Sequence, residues 1–313
     1  MCGIAGMICT GHETEEQLTA TGERMAETLA HRGPDSQGIW CDAASGMVLA
    51  HRRLAILDIS PAGNQPMVSE HGTYVVSFNG EIFNARELQQ ELELTCNVSH
   101  WRGHSDTEIL LAGMEAWGVR DTVVRCSGQF ALGVWDTERH VLRLVRDRLG
   151  EKPLYYGVIN GQFVFASELK AIRASMPTWQ PELDHSAFLL YMRYSYVPSP
   201  FSIYSDIFKL PPATILEVGM EDVATSHLRQ PESYWDPVSA DGKPKEDDYN
   251  EEELVRETER RIREAVTART WSDVPLGVFL SGGIDSTVVT ALMQENSSVP
   301  IKTFILGFDV KGV

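Results

Sequence analysis

The sequence is short of positive charge and lacks the patterns of a membrane protein. Its 27 lysines and arginines stand against 44 acidic residues, which gives a net charge of −17. Because such a surface repels phosphate backbones and anionic lipids, we expect no nucleic-acid partner and no membrane association. No apolar run approaches the roughly 18 residues of a membrane span, and no basic segment followed by an apolar one opens the chain.

Cysteine is also scarce. The five cysteines are odd in number and contain no CxxC pair, so the sequence suggests neither a disulfide framework nor a zinc site. A reducing compartment fits this usage, and we expect a soluble, cytoplasmic protein. With 313 residues, of which 43% are hydrophobic, the chain is long enough for about two domains.

The first two thirds of the chain predict a sheet with added helices. Thr14 and Gln17 form a capping-box pattern before an apolar helical face, and Ser105 and Glu108 repeat the pattern further along. Short apolar runs joined by tight polar connections follow between residues 130 and 165. Runs of this kind are typical of antiparallel strands.

A composition change divides the chain. Residues 221–250 are polar and rich in proline and charge, so we predict a linker there, with a first domain over 2–220 and a second over 251–313. In the second domain an amphipathic helix precedes a strand, a glycine-rich loop, a helix and another strand. That order predicts a βαβ unit and therefore a parallel sheet.

A cysteine directly follows the initiator methionine. Because the Cys2 side chain is small, we expect Met1 to be removed, which leaves a thiol and a free α-amine on one residue. An α-amine has a reference pKa of about 7.7 to 8.0, so it can accept the thiol proton without help from a histidine. A cysteine at this position alone is weak evidence, since most free cysteines are inert core residues.

The surroundings of Cys2 strengthen the case, because five motifs occur in one order. They are MCGIAG at the N-terminus, HRGPD at 31–35, AHRRLAILD at 50–58, FNGEIFN at 78–84 and SDTEIL at 105–110. This set resembles the class II glutamine amidotransferase domain of glutamine-hydrolysing asparagine synthetases. The resemblance implies the four-layer αββα fold of N-terminal nucleophile hydrolases.

The resemblance also implies roles for individual residues. Cys2 would be the nucleophile, and Asn79 and Gly80 would form the oxyanion hole. Arg53 would pair with the glutamine α-carboxylate, and Asp106 with its α-ammonium, which are the partners that those two charges require. The complete set of implied glutamine-binding residues is Arg53, Leu54, Ile56, Asn79, Gly80, Glu81 and Asp106.

Simpler interpretations exist for most of these residues. Asn79 and Gly80 alone would favour a hairpin turn, and Arg53 and Asp106 would be surface charges. For His31 and His51 we keep the simpler interpretation, that both are structural histidines.

SGGIDST at 281–287 follows an apolar strand and opens a helix, where backbone N–H groups can bind an anion. It lacks the lysine and the spacing of a Walker A loop. It resembles the pyrophosphate loop of enzymes that split ATP into AMP and pyrophosphate, which implies ATP and Mg²⁺ as cofactors and Asp285 as a metal ligand. The implied ATP-binding residues are Leu280, Ser281, Gly282, Gly283, Asp285, Ser286 and Leu306.

The resemblance implies a glutamine-dependent asparagine synthetase, with glutamine and aspartate as substrates. Members of that family continue well beyond the residue equivalent to Phe308, so we expect only the glutaminase half to be complete. Two alternatives stay open. The acceptor can be another carboxylate, or the chain can be a non-catalytic regulatory fragment. A homo-oligomer is an open alternative as well.

Overall fold

The computed structural model describes residues 1–11, 13–240 and 250–307. The chain divides into two compact units, Met1–Ala240 and Asp241–Val313. Within the described residues no helix is long and apolar enough to cross a bilayer.

The elements follow one another in chain order. The helices are α1 Glu15–Glu27, α2 Ala85–Thr95, α3 Asp106–Trp117, α4 Val119–Arg125, α5 Leu169–Ser175, α6 His185–Tyr194, α7 Met220–Ala224, α8 Pro237–Ala240, α9 Glu251–Ala268 and α10 Ile284–Glu295. The strands are β1 Gly3–Ile8, β2 Ser36–Asp42, β3 Met47–Arg53, β4 Met67–Val68, β5 Tyr74–Ile82, β6 Gly128–Asp136, β7 Val141–Arg146, β8 Tyr155–Ile159, β9 Gln162–Ala166, β10 Ile207–Lys209, β11 Thr214–Gly219, β12 Glu232–Ser233, β13 Gly277–Phe279 and β14 Lys302–Phe304.

Two six-stranded sheets form the centre of the first unit. One has the strand order β10-β8-β9-β1-β3-β2, and the other has the order β12-β11-β7-β6-β5-β4. All their paired strands are antiparallel, as the short runs and tight connections predict. β1 and β5, which carry two predicted site segments, lie in different sheets.

Alternation along β1 explains the layering. Ile4 and Ile8 belong to a core cluster that also contains Trp135 and Leu144 of the other sheet, so this cluster fills the space between the two sheets. The intervening residues, such as Met7, point the opposite way and pack with residues of α1 and α5. Because successive strand residues face opposite sides, a strand covered on both faces is apolar throughout.

Helices cover the outer faces, α1 and α5 on one sheet and α3 on the other. The resulting order of helix, sheet, sheet and helix confirms the predicted αββα architecture. Thr14 caps α1 in a complete capping box with Gln17, as predicted. For α3 the box is only half formed, because Ser105 accepts from the Glu108 N–H while the Glu108 carboxylate accepts from the backbone of Arg102.

Part of the predicted linker folds with the first unit. α7, β12 and α8 lie between 220 and 240, and β12 pairs with β11. The sequence did not predict these short elements, because the stretch is polar and shows no apolar periodicity. The rest of the predicted linker, 241–249, lies outside the described residues.

The second unit contains α9, β13, α10 and β14, and β13 and β14 pair in parallel, as the predicted βαβ unit requires. Much of its apolar surface is exposed. Val266 of α9 is buried, whereas Phe279, Phe304 and Leu306 are exposed. Residues 308–313 of the predicted second domain lie outside the described part of the chain.

Candidate functional site

Cys2 lines a cleft of about 150 Å³. It immediately precedes β1, which pairs with β3 and β9, and its Sγ lies 3.4 Å from the backbone nitrogen of Leu54. Arg32 Nε donates to the Cys2 carbonyl at 2.9 Å, so the residue is held from both sides. The cleft is lined by Met1, Cys2, Arg53, Leu54, Ile56, Leu57, Gly63, Gln65, Phe78, Asn79, Gly80, Glu81, Ser105, Asp106, Thr107, Gln129 and Lys152.

The structure therefore brings together every residue in the predicted glutamine site. They come from the residue before β1, from the end of β3 and the loop after it, from β5 and from the start of α3, which are far apart in sequence.

The N-terminal groups are electrostatically unusual. Burial raises the pKa of the Cys2 thiol, which disfavours the thiolate. Burial also lowers the pKa of the N-terminal amine, here that of Met1, and the Arg32 and Lys152 cations lower it further. A lowered pKa increases the share of neutral amine, and a neutral amine can act as the base that the buried thiol needs.

Asn79 and Gly80 lie inside β5, opposite Ala131 and Phe130 of β6. They do not form the hairpin turn that the two residues alone would favour. The strand continues to Ile82, since every residue from Tyr74 to Ile82 pairs with β6. A Cβ at Gly80 would come within 2.6 Å of Phe130 Cβ, so glycine is required by the neighbouring strand itself.

The side chain of Asn79 is 1% exposed, and neither of its amide atoms has a hydrogen-bond partner in the described part of the chain. An unpaired buried amide is costly, by about 1 to 3 kcal/mol, and native structures contain few of them. Because this amide lines the same cleft as Cys2, it is available to a ligand bound there.

Asp106 supplies a buried acid at the first position of α3. Its Oδ2 accepts the Ile82 N–H at 3.0 Å. Burial raises the pKa of Asp106 to about 7, and the nearby Glu81 charge contributes in the same direction. An ammonium group in the cleft would favour the ionised form, so this acid and Glu81 together suit a cationic ligand group.

Arg53 differs from its expected arrangement. Its Nη1 donates to Ser60 O and Asn64 Oδ1, both at 2.9 Å, and its Nη2 donates to the carbonyls of Leu57 and Asp58. The four Nη hydrogens are thus directed to the loop that follows β3. Arg53 holds this wall of the cleft, and its charge remains beside the cleft.

Neither predicted structural histidine lines the cleft. His51 is buried with Nε2 3.0 Å from Phe78 O, and burial lowers its pKa to about 4, so its ring is neutral at neutral pH. His31 Nε2 lies 3.0 Å from Glu168 Oε1.

Three polar residues of the cleft, Gln65, Gln129 and Lys152, lie outside both the predicted set and the five sequence motifs. Gln65 Oε1 accepts the Phe78 N–H at 2.7 Å, which fixes β5 next to Asn79. Lys152 Nζ donates to Gln129 Oε1 at 2.9 Å. Only the spatial neighbourhood distinguishes these residues, since nothing in their local sequence signals a site.

The glycine-rich loop lies in the second unit, between β13 and α10. Gly282 has a φ of +82°, which favours glycine, and Gly283 caps α10 without a side-chain hydrogen bond. Ser281 Oγ and Ser286 Oγ lie 3.0 Å apart. The Leu280 N–H donates to Phe304 O at 2.8 Å, which joins the two strand ends.

The loop thus leaves helix N-terminal N–H groups without a side-chain cap, a feature that suits a phosphate. Asp285 and Leu306 are exposed near it. Among the described residues no group of three or more His, Cys, Asp or Glu side chains could hold a metal ion.

Comparison with known families now decides the class of protein. Residues 1–235 match the family model described as glutamine amidotransferase domain. The chain belongs to the glutamine amidotransferase domain family. Residues 257–312 of this amidotransferase match the asparagine synthase model, so the predicted combination of the two domain types is confirmed.

Relatives of the amidotransferase include proteins named asparagine synthetase and proteins named amidase. It is 34% identical to a putative glutamine-hydrolysing asparagine synthetase 2 of Methanocaldococcus jannaschii, over 99% of this chain and 60% of the relative. It is 35% identical to asparagine synthetase 1 of Bacillus subtilis, over 100% of this chain and 46% of the relative. A Gibberella zeae protein named amidase chry2 is 30% identical, over 99% of this chain and 46% of the relative. The chain therefore spans about half the length of such relatives.

Solved structures support the fold. The glutamine phosphoribosylpyrophosphate amidotransferase of Bacillus subtilis superposes with a TM-score of 0.53 and 18% identity, covering 97% of this chain and 65% of that one. At this identity the likeness concerns the fold alone, and it agrees with the predicted four-layer αββα fold.

Proposed function

We propose that the first unit hydrolyses glutamine to glutamate and ammonia at Cys2. The observation that carries the proposal is the unpaired amide of Asn79 in the cleft that also contains Cys2. A tetrahedral oxyanion would accept a hydrogen bond from this amide, which otherwise has no partner there.

The cleft accounts for each step. After Met1 is removed, the Cys2 α-amine accepts the thiol proton and the sulfur attacks the side-chain amide carbon of glutamine. Asn79 stabilises the resulting oxyanion. The α-ammonium then protonates the leaving nitrogen, ammonia departs, and water hydrolyses the thioester to glutamate.

Charged residues of both signs in the cleft wall are available for substrate recognition. Asp106 and Glu81 attract the α-ammonium of glutamine, because both are acidic groups of the cleft wall. The positive charge of Arg53 attracts the α-carboxylate. Since its Nη hydrogens are directed to the loop after β3, a direct contact would require Arg53 to exchange one of those bonds for the substrate.

Glutamate release tests this step. The purified chain, with Met1 removal verified by mass spectrometry, is expected to convert glutamine to glutamate, and Cys2→Ala is expected to abolish the conversion. Equal glutamate release by both proteins would refute the assignment of Cys2.

We further infer that the second unit contributes to an ATP site of an asparagine synthetase. The uncapped N-terminus of α10 and the Gly282 turn would hold a phosphate group, with Ser281 and Ser286 as hydroxyl donors. Asp285 would be a single carboxylate for Mg²⁺, which commonly uses one or two carboxylates with substrate phosphates. ATP would activate the acceptor carboxylate toward ammonia. The backbone at Leu280 and Leu306 is proposed to lie against the adenine.

A second candidate is amidation of a carboxylate other than aspartate. The similarity to a protein named amidase favours keeping it. A longer form of the chain, incubated with ATP, glutamine and a panel of carboxylic acids, separates the two. Amide formation from aspartate supports the first candidate, and amide formation only from another acid supports the second.

A further inference from the structure

Two cations lie beside the N-terminal residue, and one of them, Lys152, also lines the cleft. Lys152 Nζ lies 3.6 Å from Met1 Sδ, and Arg32 Nη2 lies 4.0 Å from the same sulfur. Both side chains are largely buried, with exposed fractions of 9% for Arg32 and 7% for Lys152. The N-terminus therefore lies between two positive charges in a partly dry environment.

The two cations differ in their partners. Arg32 forms an ion pair with Glu168 at 3.0 Å. Lys152 Nζ instead donates to the neutral amide oxygen of Gln129, and no carboxylate within the described residues lies at ion-pair distance from it. Burying a lysine without an ion pair is costly, so its retention in the cleft needs an explanation.

Gln129 keeps Lys152 apart from the nearest acid of the cleft. Its Nε2 donates to Glu81 Oε2 at 3.3 Å, while its Oε1 accepts from Lys152. The amide thus connects the cation and the anion without a direct ion pair between them. Because no direct ion pair neutralises it, the positive charge of Lys152 still acts on other groups in the cleft.

We infer that Lys152 is a positioning residue that keeps the processed N-terminus unprotonated, so that the Cys2 α-amine can act as the base. This inference rests on the proposed glutaminase function. With Met1 removed, the α-amine belongs to Cys2, and Gln129 still holds the Lys152 ammonium on that side of the cleft.

The charged groups around the N-terminus come from several elements. Arg32 precedes β2, Lys152 precedes β8, and Glu81 lies on β5. Burial lowers the pKa of the Met1 α-amine, the two cations lower it further, and Glu81 raises it. Asp106 of α3 raises the pKa of the thiol and Arg53 of β3 lowers it. Removing Lys152 shifts this balance toward the protonated amine, which can then no longer accept the thiol proton.

The test is the rate at which iodoacetamide alkylates Cys2, followed against pH by mass spectrometry of the N-terminal peptide. This readout needs no glutamine, so it is independent of the proposed function. A unit charge about 10 Å away changes an ionisation by about one pH unit at an effective dielectric constant of about 20. Lys152→Met is therefore expected to move the alkylation midpoint upward by about one pH unit.

Three variants complete the design. Lys152→Arg keeps the charge and is expected to keep the wild-type midpoint. Lys302→Met removes the same charge from the second unit and is expected to change nothing. Glu81→Gln removes the opposing charge with little change of shape and is expected to move the midpoint downward, so it tests the inference even if Lys152→Met does not fold.

An unchanged midpoint in folded Lys152→Met, or a midpoint that does not fall in Glu81→Gln, would overturn the inference. The pH profile of glutamate release is then compared with the alkylation profile. An acid limb of kcat/KM that moves with the alkylation midpoint supports the role of Lys152. Absence of glutamate release from a wild-type protein with normal alkylation would refute the proposed function while leaving the electrostatic inference standing.

Discussion

Replacing Asn79 by alanine tests whether its side-chain amide has a catalytic role or a structural one. Its two amide atoms have no partner in the described part of the chain, so the substitution removes no recorded hydrogen bond. Removing one oxyanion donor costs about 3 kcal/mol of transition-state stabilisation, which lowers kcat by a factor of about 10². The free energy of unfolding should change little, because loss of an unpaired buried amide offsets the small cavity. KM should stay near the wild-type value.

Asn84→Ala is the matched control. Asn84 follows the same strand, and its side chain donates to Arg125 O at 3.0 Å and accepts from the Ser127 N–H at 2.7 Å. This variant should lose roughly 1 to 2 kcal/mol of stability while retaining kcat. Steady-state glutamate release and urea unfolding measure both quantities. An Asn79→Ala protein that retains kcat, or that loses as much stability as Asn84→Ala, would refute the reasoning.

Two further substitutions test two charged residues of the cleft. Because burial raises the folded-state pKa of Asp106 to about 7 from a reference of 3.8, the wild type loses stability as pH rises between these values. In the wild type this loss of stability amounts to at most about 4 kcal/mol at pH 8, and Asp106→Asn should not show it. The variant should also have a higher KM for glutamine. Equal pH dependence of urea unfolding in the two proteins would contradict this reasoning. Arg53→Lys should lose at least one of the four donor contacts to the loop, lowering stability by roughly 1 to 3 kcal/mol and raising KM. An unchanged urea midpoint would contradict the structural role of Arg53.

The sequence predicts the layers of the fold well where periodicity is strong. The antiparallel strands between 130 and 165 and the capping box at Thr14 have clear local signals, and the structure contains both. Helix α2 has a weaker signal, since only Leu88 and Leu92 mark its buried face beside Ala85. The short elements α7 and β12 are stabilised by tertiary contacts with β11, which local composition cannot reveal.

The candidate site is predictable to the extent that it depends on motifs. Cys2, Asn79 and Asp106 are identified by short sequence patterns, and the fold gathers them in one cleft. The partners of Arg53 and the position of Lys152 depend on loop conformation and on packing across the sheets. No spacing along the chain encodes them, so they emerge only from the three-dimensional structure.

Covalent labelling of Cys2 by its substrate tests the central claim most directly. The processed chain is mixed with isotope-labelled glutamine, quenched in acid within one turnover, and digested for mass spectrometry of the N-terminal peptide. A glutamyl thioester on Cys2, absent from Cys2→Ala, is the predicted result. Glutamate release without any label on the N-terminal peptide, or a label that persists in Cys2→Ala, would contradict the claim.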